Sequence, residues 1–155
     1  MALAENPIMF TNNPLDRAGH SRGEATWVAA QLASDAALIV PLWQLNPLVL
    51  PELQAGDGRD VGWLPKAAFA EAWTADMLVV FLGLNRRGKP LFAADISHMS
   101  APEDMGPFKG MGHFEDLRGL AAAGDMPRTE LAILAQAKAM LDWNLRHPFC
   151  AQCGT

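Results

Sequence analysis

The chain has 155 residues, of which half are hydrophobic and 19% are charged. This composition is ordinary for one globular domain with a sizeable core. The formal net charge of −5 gives no general attraction to nucleic acid or anionic lipid, although it leaves room for a local basic patch.

Cysteine content and hydropathy bear on the cellular compartment. The two cysteines cannot make a disulfide framework, so a reducing cytoplasm is expected. Residues 1–13 lack a basic segment followed by an apolar one, and no apolar run reaches the length of a membrane span. The sequence therefore predicts a cytoplasmic protein with no signal peptide and no membrane partner.

Residues 6–17 are predicted to form an ordered but irregular arm. Prolines and asparagines punctuate this stretch, and both residue types favour turns over regular elements. Asp16, Arg17 and Arg22 could pair and fix the arm to the domain. A solvated surface explains the same spacing equally well, so both interpretations stay open.

A short helix and a first pair of strands follow the arm. Residues 23–34 predict the helix. Residues 37–43 are an apolar run with β-branched members, which predicts a strand, and Pro41 indicates an edge position or a bulge. Residues 46–50 are its expected hairpin partner.

The centre of the chain carries the strongest strand signals. Residues 64–73 predict a short helix, and the continuous apolar run 77–84 predicts a central strand with both faces covered. A turn at 85–88 and a second strand at 89–96 complete a β-hairpin. The two arginines of this turn could bind phosphate, but arginines at a hairpin tip are more often simply solvated.

A long loop at residues 97–112 is predicted to separate the hairpin from the C-terminal helices. His98 and His113 invite a metal interpretation. However, no carboxylate or cysteine stands at a metal-ligand spacing from them, which argues against such a site. A short helix is expected to open at residue 114, with acidic residues in its first turn, where the helix dipole favours them.

The last part of the chain combines a strong helix with half of a zinc knuckle. Pro148 is expected to end the helix. Cys150 and Cys153 stand two residues apart, and Gly154 permits the tight turn of a knuckle. Three- and four-residue steps place one inward stripe on the helix: Leu131, Leu134, Lys138 through its aliphatic stem, Leu141 and Leu145.

A structural zinc ion needs four ligands, and only two residues follow Cys153. The pattern favours a chain cut inside a zinc ribbon. A redox pair, a terminal disulfide and an incidental surface pair are the alternatives. A thioredoxin-like redox pair precedes a helix in a βαβ unit, whereas this pair follows one.

The order of these elements predicts an α+β fold. We expect a small antiparallel sheet built on the hairpin at residues 77–97, packed helices and a long C-terminal helix. The sequence lacks a P-loop, a dinucleotide-binding glycine motif, a nucleophile elbow, a His-Glu-x-x-His motif and any pair of adjacent glutamates. Catalytic machinery is therefore not visible.

The segment from Trp143 to Gly154 resembles a junction in NADH pyrophosphatases of the Nudix hydrolase superfamily. There, a helix ending in Trp-x-x-x-His-x-Phe-Cys-x-x-Cys-Gly leads into a four-cysteine zinc ribbon, and the catalytic domain follows. Upstream, Asp116-Leu117-Arg118 is similar to the family's Asp-Leu-Arg element. Weaker similarities at 15–17, 41–43 and 82–97 come in the expected order, so the resemblance spans nearly the whole chain.

This resemblance implies an N-terminal Nudix-like domain at 1–147 and the start of a truncated zinc ribbon at 148–155. The parent enzyme would hydrolyse the pyrophosphate of NADH or NAD⁺ to nicotinamide mononucleotide and AMP, with NAD-capped RNA as a further candidate substrate. It would bind structural Zn²⁺ and catalytic Mg²⁺ or Mn²⁺, and it would form a homodimer. The second cysteine pair and the Nudix box are absent from this sequence, so the chain alone is expected to be inactive and without cofactor.

The resemblance also assigns candidate site residues. Cys150 and Cys153 would be zinc ligands. Arg118 would contact the substrate, since a guanidinium suits a pyrophosphate, although a helix-surface arginine paired with Asp116 or a neighbour is the favoured alternative. Lys66 is a weaker substrate-binding candidate.

One structural expectation and two rival functions complete the predictions from the sequence. Trp143 and Phe149 are expected to pack the domain against the ribbon. The rival hypothesis is a non-catalytic module for dimerisation or protein interaction. A zinc-ribbon nucleic-acid binder fits poorly with the negative charge.

Overall fold

The computed structural model describes residues 8–51, 59–149 and 153–154. Within these ranges the chain folds into a six-stranded sheet with helices packed on both faces. This architecture confirms the predicted α+β class and the long C-terminal helix. In chain order the elements are α1 (Ala25–Ala33), β1 (Leu38–Trp43), β2 (Asn46–Leu50), β3 (Asp60–Val61), a 3₁₀ helix (Lys66–Ala72), β4 (Val79–Leu84), β5 (Pro90–Asp95), β6 (His113–Phe114), α2 (Leu117–Ala123) and α3 (Arg128–Arg146).

The strand order of the sheet is β3-β2-β1-β5-β4, and β6 also pairs with β2. β4 and β5 form the predicted central hairpin. β1 runs parallel to β5, from Leu38 beside Leu91 to Leu42 beside Asp95, whereas the other strand pairs are antiparallel. The sheet is therefore mixed, and it is larger than the small antiparallel sheet that the sequence predicts, because the β1–β5 pairing joins segments far apart in the chain.

Two strands occupy positions that differ from those their sequences predict. β4, expected at the centre, lies at one end of the strand order in the described ranges, although its residues 80–82 are buried. β1, expected at an edge because of Pro41, lies between β2 and β5. Its ladder with β2 ends at Leu42, so Pro41 is not required to donate a hydrogen bond to β2.

Successive residues of the inner strands face opposite sides of the sheet and belong to two different hydrophobic cores. Leu91 and Ala93 of β5 belong to the core beneath α2 and α3, whereas Phe92 and Ala94 belong to the core beneath α1 and the 3₁₀ helix. Because both faces of the sheet are covered, the strands are continuous apolar runs in the sequence.

α3 packs on the sheet through a stripe that largely matches the prediction. Its buried residues include Leu131, Leu134, Ala137 and Leu141. Lys138 lies to the side of this stripe, with its Nζ 3.6 Å from Asp116 Oδ1. Leu145, predicted to face inward, is 47% exposed. Together with Thr74 and His98, it lines an open cavity of about 300 Å³. Part of its side chain therefore remains uncovered.

The N-terminal arm is fixed through hydrogen bonds to the backbone of β4. The Asp16 N–H donates to the Leu84 carbonyl at 2.9 Å, and the Asp16 carbonyl accepts from the Leu84 N–H at 2.8 Å. Gly83 permits this approach, since an added Cβ would lie 2.6 Å from the Asp16 oxygen. Arg22 Nη2 donates to the Phe81 carbonyl at 3.4 Å. In the part of the chain that the structure describes, hydrogen bonds therefore hold the arm, and Asp16, Arg17 and Arg22 form no salt bridge.

The other predicted elements are present with small changes. α1 lies within the predicted range 23–34. The helix predicted at 64–73 is a 3₁₀ helix that is broken at Ala70, where φ is 43°. Residues 97–112 form the predicted irregular loop. Where the structure describes the chain, none of its helices has both the length and the apolar character needed to cross a membrane.

Candidate functional site

The tip of the β4–β5 hairpin is a well-defined turn that carries two arginines. Asn85 Oδ1 accepts hydrogen bonds from the N–H groups of Arg87 and Lys89 at 2.9 and 3.0 Å. The Gly88 N–H donates to the Asn85 carbonyl at 2.8 Å, and Gly88 has a φ of 73°, a conformation that favours glycine. The turn therefore holds Arg86 and Arg87 in a defined backbone frame.

An open groove of about 370 Å³ lies beside this turn, and we call it the hairpin groove. Its walls come from the arm, the turn, Trp63 and the first turn of α3. Trp63 Nε1 donates a hydrogen bond to Glu130 Oε2 at 3.1 Å. The apolar lining includes Leu15, Leu38, Leu91 and Ile133, and the charged lining consists of Arg86, Arg87 and Glu130.

Arg118 lies in the first turn of α2, two residues after Asp116, which caps this helix. Asp116 Oδ2 accepts hydrogen bonds from the N–H groups of Arg118 and Gly119 at 3.1 and 3.2 Å. The Gly119 hydrogen bond, followed by the charge of Lys138, lowers the pKa of Asp116. The Asp116 carboxylate therefore already has partners in the backbone of α2 and in Lys138. Arg118 is exposed, and its substrate contact stays a prediction.

Lys66 lies at the start of the 3₁₀ helix, over an aromatic ring. Its Nζ is 4.6 Å from the ring centroid of Trp73, which is a cation–π distance. The 3₁₀ helix packs through Phe69 on the core beneath α1, whereas α2 packs through Leu117 on the opposite core. Lys66 and Arg118 thus belong to opposite faces of the sheet and do not form a joint site.

The predicted zinc ligands follow α3. Cys150 lies outside the described residues, and Cys153 is exposed. Gly154 has a φ of 70°, which suits the tight turn expected after the second cysteine. Over the described ranges, no three His, Cys, Asp or Glu side chains are grouped so that they could hold a metal ion. The zinc site stays a prediction.

Two large aromatic side chains near the cysteines are exposed. Trp143 is 62% exposed and Phe149 is 66% exposed. The Trp143 ring stacks on His147, with 3.8 Å between the ring centroids. A packed zinc ribbon would cover these aromatics, and this role also stays a prediction.

An ionic cluster that the sequence does not reveal connects the residue before β3 to the segments on either side of α2. Arg59 Nε contacts Asp125 Oδ2 at 2.6 Å, and Arg59 Nη1 forms a salt bridge with Glu115. The hydrogen bonds to Asp125 and then to Glu115 raise the pKa of Arg59. The partners are 66 and 56 residues away in the chain, so no local spacing could have indicated the cluster.

A family model matches the chain from the start of β1 to near the end of α3. It describes the NADH pyrophosphatase-like rudimentary NUDIX domain, and it covers residues 36–143, well over half of the chain. The chain belongs to this family. No curated protein matches the chain significantly.

The rudimentary NUDIX domain contains two of the four predicted site residues. Lys66, Arg118 and the arginines of the hairpin lie within the matched range, whereas Cys150 and Cys153 follow it. The match confirms the family that the Trp143–Gly154 junction indicates, although that junction lies almost entirely beyond the matched residues.

Proposed function

We propose that the chain is the N-terminal, non-catalytic domain of an enzyme that hydrolyses NADH or NAD⁺ to nicotinamide mononucleotide and AMP. This proposal rests on the order of two features along the chain. The NADH pyrophosphatase-like domain covers residues 36–143, and the Cys150-x-x-Cys153 pair follows it directly. In the family that the junction resembles, a zinc ribbon at this place leads into the catalytic Nudix domain.

The contacts of the acidic residues support a non-catalytic role for this domain. Nudix hydrolysis needs carboxylates that converge on a divalent cation, which polarises the phosphate and orients water. Here Asp116 caps α2, while Glu115 and Asp125 contact Arg59. These three carboxylates serve structural contacts, and we assign Mg²⁺ or Mn²⁺ to the catalytic domain of the full-length enzyme.

Zn²⁺ is the structural metal of the proposed full-length enzyme. Two thiolates separated by two residues, with a glycine after the second, suit a tetrahedral knuckle, and the φ of Gly154 fits that turn. Cys150 and Cys153 would supply half of the ligands, and a second cysteine pair further along the protein would complete the set. We propose that the 155-residue chain alone holds no tightly bound cofactor.

Enzyme assays on proteins of two lengths test this proposal. With Mg²⁺ or Mn²⁺, we expect no release of AMP from NADH by the 155-residue chain. The protein read from the gene beyond Thr155 should release AMP and nicotinamide mononucleotide. Turnover by the purified short chain would contradict the non-catalytic role. A stop codon after Thr155, or an inactive longer protein, would contradict the hydrolase assignment.

A second candidate function is dimerisation or protein interaction without hydrolysis. Exposed large hydrophobic side chains favour it, since Trp143 and Phe149 lie near the end of the chain and exposed aromatics are common in interfaces. Light scattering of the 155-residue chain should then give the mass of a homodimer. For the full-length enzyme, decapping assays would show whether NAD-capped RNA is also a substrate.

A further inference from the structure

Two arginines line the hairpin groove, and among the described residues neither of them forms a salt bridge with a carboxylate. Arg86 and Arg87 are exposed and line the groove. In the described part of the chain, the salt bridges are made by other basic residues. Two guanidinium groups on adjacent residues can both donate hydrogen bonds to one phosphate group.

The charge of the groove differs in sign from that of the whole chain. Among the described residues that line it, two positive charges outnumber the single negative charge of Glu130, although the chain has a formal net charge of −5. One oxygen of the Glu130 carboxylate is engaged by the Trp63 indole N–H. The arginines therefore remain available to an anionic ligand that enters the groove.

The first turn of α3 adds a weaker attraction for an anion. Thr129 of this turn lines the groove, and the N-cap residue is Pro127, whose side chain cannot accept a hydrogen bond. The N-terminal end of a helix carries a partial positive charge and unsatisfied N–H groups. This end supports the arginines but would not define a site without them.

The size and lining of the groove limit the class of ligand. Its volume of about 370 Å³ lies in the range of small-molecule pockets. Its apolar lining, which we call the apolar floor, includes Leu38, Leu91 and Ile133, and Trp63 also lines the groove. A flat ring can pack on such a surface. A bare inorganic anion would leave this apolar surface unused.

We infer that the hairpin groove binds a nucleoside monophosphate, with Arg86 and Arg87 on the phosphate and the base against the apolar floor. A single-stranded RNA is disfavoured, because the chain repels a long polyanion outside the groove. Binding here goes beyond the proposed function and does not depend on it, because the groove residues lie within this chain.

Binding to the intact 155-residue chain is measured by titration with AMP, adenosine, inorganic phosphate and a single-stranded RNA oligonucleotide. AMP should bind saturably, adenosine should bind at least about tenfold more weakly, and inorganic phosphate should compete with AMP. In NMR spectra, AMP should shift the Trp63 indole N–H resonance and the amide resonances of the turn.

Charge-matched variants test whether the two arginines hold the phosphate. The variant Arg86→Gln/Arg87→Gln should weaken AMP binding about tenfold or more. The control Lys89→Gln/Lys109→Gln removes the same charge from exposed residues outside the groove and should bind AMP as the parent chain does. Both pairs are on the surface, so unfolding curves should show that each variant remains folded.

Four results would overturn the assignment. One is the absence of saturable AMP binding, and another is equal affinity for AMP and adenosine. A third is equal weakening by both double variants, which would show a general charge effect. The fourth is tighter binding of the RNA oligonucleotide than of AMP, which would identify a nucleic-acid surface instead.

Discussion

Single charged side chains in this domain hold loops and helix ends in place. Glu103 is the clearest example, because its carboxylate fixes the long loop to β6. Glu103 Oε1 accepts a hydrogen bond from the Phe114 N–H at 2.6 Å, and Glu103 Oε2 lies 3.2 Å from His113 Nδ1. The Phe114 hydrogen bond, followed by His113, lowers the pKa of Glu103.

This lowered pKa predicts a pH dependence of the free energy of unfolding. A carboxylate whose pKa is lower in the folded state stabilises the fold above its unfolded pKa, which for Glu is about 4.3. The stabilisation is lost as the pH falls through the lower, folded pKa. Urea unfolding midpoints should therefore decrease on acidification below about pH 5.

The variant Glu103→Gln isolates the contribution of this residue. Its amide oxygen can still accept from the Phe114 N–H, but it does not titrate. Its stability should fall less steeply with acid than that of the parent chain. If both proteins showed the same slope, Glu103 would not be a source of the acid sensitivity.

At the residue scale, local spacing decides what the sequence can reveal. Cys150 and Cys153 can be proposed as zinc ligands because a zinc knuckle is a short, contiguous pattern, and that site stays a prediction. Acidic residues at the start of α2 can be anticipated because they lie next to the helix, and the structure shows Asp116 as its N-cap. Arg59 was not recognised, since its partners lie on distant segments. The arginines of the hairpin tip could be predicted as solvated or as phosphate-binding, and they are exposed. The groove itself could not be predicted, since only the fold brings α3 beside them.

At the scale of elements, hydrophobicity predicts burial better than it predicts position in a sheet. The continuous apolar run of β4 correctly indicates that both faces are covered, but the strand lies at one end of the strand order in the described sheet. Position depends on which strands pair, and the β1–β5 pairing is non-local. The hairpin of β4 and β5 was predictable because its turn is local.

The contact between β2 and the start of β6 depends on a glycine. An added Cβ at Gly112 would lie 2.1 Å from the Val49 carbonyl oxygen. Gly112→Ala should therefore separate these strands and reduce the free energy of unfolding by more than about 2 kcal/mol. Urea unfolding measures the loss, and amide exchange at His113 should become faster.

A second glycine in the same region provides the control. Gly119 lies within α2, and its added Cβ would meet no atom within 4 Å. Gly119→Ala should raise stability by about 0.5–1 kcal/mol, because alanine favours the helix. If Gly112→Ala were tolerated as well as Gly119→Ala, close backbone approach would not be what selects glycine at residue 112.

At the scale of the whole molecule, the described chain is well packed around its sheet but ends in an uncovered aromatic surface. Leu141 of α3 is fully buried, whereas Trp143, two residues later, is mostly exposed. Such a side chain adds little to the stability of the domain that carries it. In the proposed full-length enzyme, the zinc ribbon would cover it.

We therefore expect the loss in free energy of unfolding caused by Trp143→Ala to depend on the length of the protein. In the 155-residue chain the free energy of unfolding should change by less than about 0.5 kcal/mol, as for other surface substitutions. In the full-length enzyme it should fall by more than about 2 kcal/mol, because a buried aromatic is lost. Leu141→Ala is the matched control and should cost about 2–5 kcal/mol in both proteins. An equally small effect of Trp143→Ala in both would mean that the ribbon does not pack on this surface, and the exposed aromatic would then favour an interface with another chain.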